Sequence, residues 1–509
     1  MTVAKDEWMS KTSDIYRSCT AGPFRGELTA QNVSIYFRSP FSIYCEKFVP
    51  ASEKDPLNPY RELLQERGIE HEKAVLERLF PGVKRIPYTD APEGFRLLLH
   101  EMERGAEAIF GLPLLYLPGN MQGRFDLLAK RTDHASVFGP YHYVVGEIKV
   151  SKNIRPEHIL QGAFYTWLLS KIQKRLPEMF FIINRDFEER AYKFKNHEEE
   201  LLQALQGTQA ILDGREVPTP TYNAGEWPWK THTNGAALRS RDISLVSQVG
   251  PRLKEKLASL GFRKVWDLSP SRLHDLKAIP RVGERTAKKL IRSAQAIQKG
   301  EVMLLDPSAL DFPARPVEIF LDLEGTDQPG DDGDLTQVDY LIGVLTCSAG
   351  IEEYRPFVAW HPEDEEAMFR AFMAHLASQK NYTVYHWHNY ERWHMKQLAD
   401  RYGMTAEAEA TLFPFMIDLH RMATAAFVFP TYTNGLKDVA FFLGYRWRHE
   451  DINALDAIAY YLRFQKNPGG YREKLQAVID YNEDDCRATK IVKDWLQARS
   501  PAPGRRATD

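Results

Sequence analysis

Apolar and polar positions along the chain follow two different periods. "HYVVGEIKV" (142–150), "EMFFIINRD" (178–186) and "VEIFLDLEGT" (317–326) are short apolar runs of strand length. "NPYRELLQERGIEHEKAVLERLF" (58–80) instead has helical spacing, placing Leu64, Gly68, His71, Val75 and Leu79 on one face. "ILQGAFYTWLL" (159–169) has the same period, with Gln161 and Tyr165 four apart. Between 236 and 300 only helical patterns occur, broken by short Gly/Pro turns. Two Pro-rich stretches, "VPTPTYNAGEWPWKTHTNG" (217–235) and "LLDPSALDFPARPVE" (304–318), have the character of linkers. The pattern predicts an α/β block at 1–216, an all-α block at 236–300, a second α/β block at 316–497 and a disordered polar tail at 498–509.

A chain of 509 residues is too long for one core, which fits several domains. Composition is ordinary, with 43% hydrophobic and 27% charged residues and a net charge of −3. Cys19, Cys45, Cys347 and Cys486 lie far apart, against a disulfide framework or zinc finger and for a reducing compartment. The start "MTVAKDEWMSKTSD" has no apolar core of a signal peptide, and no stretch approaches a membrane span. A cytoplasmic protein without a membrane partner is expected.

Local charge changes this picture. Residues 250–299 hold 13 Lys/Arg against 4 Asp/Glu inside a net-acidic chain, a footprint for a polyanion. A charge run alone also suits a solvated helix surface. The pattern here is sharper, because "SQVGPRLKEKLASLGF" and "LKAIPRVGERTAKKLIRSA" each open a helix with Val-Gly. Gly250 and Gly283 would let helix-start N–H groups approach a phosphate, with Arg252, Lys254, Arg281, Arg285 and Lys288 around them. These two units resemble the paired helix-hairpin-helix module of DNA repair and nuclease proteins, which implies a sequence-independent grip on the sugar-phosphate backbone.

Glu147 and Lys149 share one face of an apolar strand, as a surface salt bridge or as part of a site. Asp126 precedes them in "GNMQGRFDLLAKR" and a helix with Gln161 and Tyr165 follows. Asp, then Glu-x-Lys, then a helix carrying Q-x-x-x-Y resembles the RecB-like branch of the PD-(D/E)XK nucleases. His71, three residues after Gly68, matches that family's G-x-x-H helix, and "SPFSIYCEKF" (39–48) also fits. The resemblance implies a restriction-endonuclease-like α/β core with Asp126, Glu147 and His71 toward Mg²⁺ or Mn²⁺. Lys149, Gln161 and Tyr165 would be catalytic. An inward His is also compatible with a plain core role. Many relatives of this type carry a four-cysteine iron–sulfur cluster; Cys45 is placed for one, but no cysteine trio follows Tyr165, so no cluster is expected.

The second candidate centre begins at Asp322 and Glu324, two apart near the end of an apolar strand, where like charges are costly without a partner. Tyr481 and Asp485 lie four apart in "VIDYNEDDCRAT" (478–489). D-x-E on a strand with Y-x-x-x-D on a late helix resembles the tyrosine variant of the DEDD 3′–5′ exonucleases of the RNase H-like fold. That implies two Mg²⁺ or Mn²⁺ ions held by the acids, with Tyr481 placing the attacking water. The family's middle motif is altered here: "YHWHNYERWHMKQL" (385–398) offers Glu391, and Asp418 in "MIDLHRMA" competes for the same role. Lys437 in "YTNGLKDVAFFLGY" is available to a phosphate.

The expectation is therefore an α/β multidomain nuclease: a RecB-like domain, a tandem helix-hairpin-helix and an RNase H-like domain. Its expected substrate is DNA, single-stranded or at frayed ends, in repair or in defence against foreign DNA. RNA is the alternative substrate, and a binding scaffold with inactive centres is the rival from another class. The chain has no G-x-x-x-x-G-K-[ST] loop, so any helicase would be a partner.

Overall fold

The computed structural model describes residues 12–23, 25–326 and 337–500. Most of the start and of the polar tail discussed above, 1–11 and 501–509, lie outside them. The chain gathers into two compact units, one running essentially to Asn234 and the other from Gly235.

The first unit contains α1 (Pro59–Leu79), β1 (Ala108–Phe110), β2 (Leu127–Arg131), β3 (His142–Ile148), α2 (Pro156–Gln173), β4 (Met179–Ile183) and β5 (Glu189–Lys193). The strands lie in that order in one sheet, antiparallel except for the parallel pair β3–β4. A parallel pair needs a long crossover, and α2 supplies it. Alternation along β3 feeds two cores. Tyr143 and Val145 pack with Leu160, Phe164 and Leu168 of α2, while Val144 and Ile148 pack with Phe181, Ile183 and Val75 of α1. Every residue of β3 is buried, so Glu147 is no surface salt-bridge partner. The predicted inward face of α1 does not extend to Leu79, which is exposed.

The stretch 217–235 departs from its expected linker character. Trp229 is buried and its indole N–H donates to Glu46 at 2.8 Å, while Trp227 donates to the Pro56 carbonyl. Two large aromatic surfaces outweigh the proline punctuation and tie the segment down. The second Pro-rich stretch is also partly ordered, since Leu304 pairs with Phe427 in a short antiparallel ladder.

The second unit contains α3 (Pro251–Ser259), α4 (Glu284–Lys299), β6 (Val317–Gly325), β7 (Asp339–Ser348), β8 (Ile351–Val358), β9 (Tyr382–His386), α5 (Tyr390–Arg401), β10 (Met416–Asp418), α6 (Leu436–Phe442) and α7 (Pro468–Gln497). Its sheet order is β8-β7-β6-β9-β10. The first three form an antiparallel meander, and β9 and β10 extend the sheet parallel to β6. Ile319, Leu321 and Leu323 face one core and Phe320 the other. Asp322 and Glu324 continue the Phe320 face, where α7 brings Tyr481, Cys486 and Val492. The all-α segment belongs to this same unit. Lys289 of α4 donates to the Thr424 carbonyl, and Asn434 donates to Ser247 at 3.0 Å. Among the described residues no helix is long and apolar enough to cross a membrane.

Candidate functional site

In the first unit the sheet brings Asp126, Glu147 and Lys149 together. Lys149 Nζ lies 2.9 Å from Glu147 and 3.8 Å from Asp126, and Asp126 also accepts the Ile148 N–H at 2.8 Å. Burial and the neighbouring Asp126 push Glu147 up to about 7. Burial would lower Lys149, but Glu147 and Asp126 outweigh it and hold the ammonium above the ordinary lysine range. One oxygen of Glu147, Oε1, is buried with no hydrogen-bond partner among the described residues. Tyr165 is held far above the usual phenol range, by burial first and then by Glu147 and Asp126, so it faces this centre. Gln161 instead reaches Ser34 at 3.5 Å.

His71 Nε2 lies 3.2 Å from the Asn184 carbonyl. A carbonyl only accepts, so that nitrogen carries the proton and Nδ1 keeps the lone pair. Burial lowers the imidazole's pKa, favouring the neutral form. Asn184 follows Ile183, whose carbonyl accepts from the Lys149 N–H, so His71 sits at the same end of the sheet as Lys149. Sequence reasoning missed its neighbour Glu72, which burial and Asp126 push upward.

The second centre differs in kind. Carboxylate oxygens of Asp322, Glu324 and Asp485 lie within 4.8 Å of one another, Glu324 buried and the other two half-buried. Burial raises Asp322 and Glu324 well above the carboxylate range, reinforced by Asp485 and Glu391 in both cases. Asp485 is raised to about 7, by burial first, against the lowering effects of Trp447 and Lys437. Glu391, on the first turn of α5, is buried and raised, has His386 at 3.5 Å, and leaves Oε2 without a hydrogen bond among the described residues. Asp418 is differently employed: its Oδ1 caps the helix Leu419–Ala426 through the Arg421 N–H and also accepts the His388 N–H.

Supporting groups that the motifs did not reveal fix these acids. Asn482 donates to Asp322 at 2.7 Å while its own oxygen accepts the Tyr354 hydroxyl at 2.9 Å. Gly343 pairs with Asp322 across the sheet, and a Cβ there would lie 1.6 Å from the Asn482 oxygen, so only glycine lets that amide through. Trp447 donates to Asp485 at 2.9 Å, and Arg448 and Tyr445 hold the neighbouring Asp484. Tyr481 is raised by burial and by Asp485, one helical turn away. Lys437 Nζ lies 5.7 Å from both the Trp447 and Tyr481 ring centres, which sets its ammonium beside the acids.

Among the basic residues of the all-α segment, the structure corrects one expectation. Lys254 is buried and its ammonium lies 2.9 Å from Asp242, so it serves the core and not a phosphate. Lys288 is committed in part to Glu284 at 2.7 Å, and Lys277 pairs with the same carboxylate. Those hydrogen bonds, Lys288 first, hold Glu284 down to about 2. Arg252, Arg281 and Arg285 are exposed. The two turns have matching backbones: Gln248 and Arg281, each two residues before the glycine, have φ of 76° and 71°. Gly250 and Gly283 cap α3 and α4 at negative φ, and a Cβ on either would meet nothing within 4 Å. Neither backbone strain nor internal packing demands glycine there; each leaves open space at a helix start.

Comparison with known families fits this geometry. Residues 319–497 match the RNase H superfamily, and residues 240–296 match the SAM-like helix-hairpin-helix tandem. No curated protein matches the chain. The second unit thus carries an RNase H-like domain with an acidic trio suited to a divalent cation, beside a helix-hairpin-helix module of nucleic-acid-binding type.

Proposed function

We propose that this protein is a metal-dependent nuclease that hydrolyses phosphodiester bonds of DNA at single-stranded or frayed ends, in repair or in defence against foreign DNA. The observation that carries this reading is the cluster of Asp322, Glu324 and Asp485, whose carboxylates lie within 4.8 Å of one another and are all raised by burial. Acids so placed repel each other until a cation joins them. Asp322, Glu324 and Asp485 would hold Mg²⁺ or Mn²⁺, with Glu391 as the fourth acid in preference to Asp418, whose Oδ1 is spent on a helix cap. The ion supplies Lewis acidity toward the phosphate and a nucleophile at neutral pH. The chain's own groups do the rest. Tyr481 orients the attacking water from one turn before Asp485, and Lys437 offsets charge on the phosphate. The D-x-E of β6 together with the Y-x-x-x-D of α7 supports the DEDD type with tyrosine, and 3′–5′ polarity is proposed with that type.

The first unit is assigned a second centre of the PD-(D/E)XK type. Its support is the Asp126–Glu147–Lys149 group on β2–β3, followed by α2 with Tyr165 facing it. Asp126 and Glu147, with His71 Nδ1 at the same sheet end, are the metal-ligating groups; Lys149 and Tyr165 position water and phosphate, and Gln161 contacts Ser34 instead. The test is cleavage of end-labelled single- and double-stranded DNA and RNA with Mg²⁺ or Mn²⁺ by wild type, Lys149→Ala, Asp322→Ala and the double variant. Each single variant should lose a different product ladder and the double variant should be inert. Cleavage of RNA alone would move the substrate to RNA, and no cleavage under any condition would leave a binding scaffold.

A further inference from the structure

The all-α module could serve either centre or neither, and its docking decides. Ser247 immediately precedes the turn that ends in Gly250, and it accepts a hydrogen bond from Asn434 at 3.0 Å. Asn434 lies in the turn that opens α6, the helix carrying Lys437 beside Tyr481 and Trp447. That turn is stiff: the Thr433 hydroxyl accepts from the Gly435 N–H at 3.2 Å and bonds Asp438 as well. Lys289 of α4 adds a second attachment at the Thr424 carbonyl.

We propose that the tandem module is the substrate arm of the C-terminal centre, with its first hairpin gripping a single strand whose end lies at Asp322, Glu324 and Asp485. This rests on the nuclease reading above and names the path its substrate takes. Gly250 and Lys437 each lie three residues from the bonded pair, so the backbone adds at most about 11 Å on either side, about 30 Å in total with the two side chains. A strand stacked at about 3.4 Å per nucleotide covers that span with no more than about nine nucleotides. The first hairpin, not the second, is the grip. At the second, Glu284 occupies the first helical position after Gly283 and draws both Lys277 and Lys288, which opposes a phosphate there. At the first, exposed Arg252 follows Gly250 with no acid before Glu255.

The test uses the full chain with Mn²⁺ on 5′-labelled single strands of about 3 to 20 nucleotides, counting only the cleavage that Asp322→Ala removes. Wild-type kcat/KM should rise about tenfold as length reaches about nine nucleotides and then level off. Arg252→Glu, at an exposed position that does not threaten folding, should remove most of that rise and lower the salt dependence of KM. Asn434→Ala should lower the long-strand advantage by a smaller factor, about threefold, because Lys289 still holds the module. Cleavage that depends on Asp322 but shows the same length profile in wild type and Arg252→Glu would overturn the inference while leaving the nuclease reading intact. Absence of any Asp322-dependent cleavage would overturn both.

Discussion

The two acidic centres solve the same electrostatic problem in opposite ways. In the first, Lys149 stands 2.9 Å from Glu147 and 3.8 Å from Asp126, so the chain supplies a cation of its own. In the second, Asp322, Glu324 and Asp485 face one another with Glu391 nearby, and Lys437, 5.7 Å from the ring centres of Trp447 and Tyr481, lowers Asp485 without overcoming its burial. A carboxylate pair beside an ammonium is stable as it stands, whereas a carboxylate trio is a seat for an added ion. The difference teaches that acid spacing alone does not set how strongly an empty centre calls for an added ion; the nearest built-in cation does.

The sharpest break of this comparison is Asp322→Ala, which should lower cleavage by the second centre by about 10³-fold or more. The end-labelled ladder measures it, and retention of that ladder would remove the assignment. Next comes Gly343→Ala. The new methyl displaces Asn482 from Asp322, so Mn²⁺ affinity at the second centre should fall about 10- to 100-fold, as for other supporting groups of a metal site. Calorimetry reads this directly, and an unchanged affinity would show that Asn482 does not orient Asp322.

A third test separates the centres by stability. Lys149→Met leaves Glu147 buried without its partner and should destabilise the first unit by about 3 kcal/mol at neutral pH, measured by urea unfolding. Because Lys149 lowers Glu147, the variant's Glu147 takes up a proton at higher pH than in wild type, so the loss should shrink as pH falls toward 7. The smallest effect is the pH dependence of the metal-free protein. Glu147 and Asp485 are both raised to about 7 in the fold, above the unfolded value near 4. Their favourable contribution is full below about pH 4 and is lost as pH rises through about 7. Metal-free stability should therefore decline over that window, and Mn²⁺ should flatten the decline for the second unit. A rise in stability over the same window would contradict the burial of these acids.

How far the sequence carried this picture follows from the range of each interaction. Asp322 with Glu324, and Tyr481 with Asp485, were legible because period two on a strand and four on a helix place each pair on one face. The grip of Asn482 on Asp322 and of Trp447 on Asp485 was not, because it depends on how α7 crosses the sheet. Lys254 looked like any other lysine in a basic run; only Asp242, brought against it by the fold, shows that it is internal. Glu72 was hidden beside His71 because local sequence does not fix which side of α1 meets Asp126. The packed stretch around Trp227 and Trp229 was masked by its prolines, which mark where ladders break but not what buried aromatic surface can hold.

The most direct measurement of the central claim is a calorimetric titration of the full chain with Mn²⁺, comparing wild type, Asp322→Ala and Lys149→Ala. The account predicts Mn²⁺ binding in wild type from which Asp322→Ala removes the second-centre event, while Lys149→Ala retains that event. A wild type that binds no Mn²⁺, or an Asp322→Ala variant that binds it with the same stoichiometry and affinity, would contradict the reading of Asp322, Glu324 and Asp485 as a metal seat.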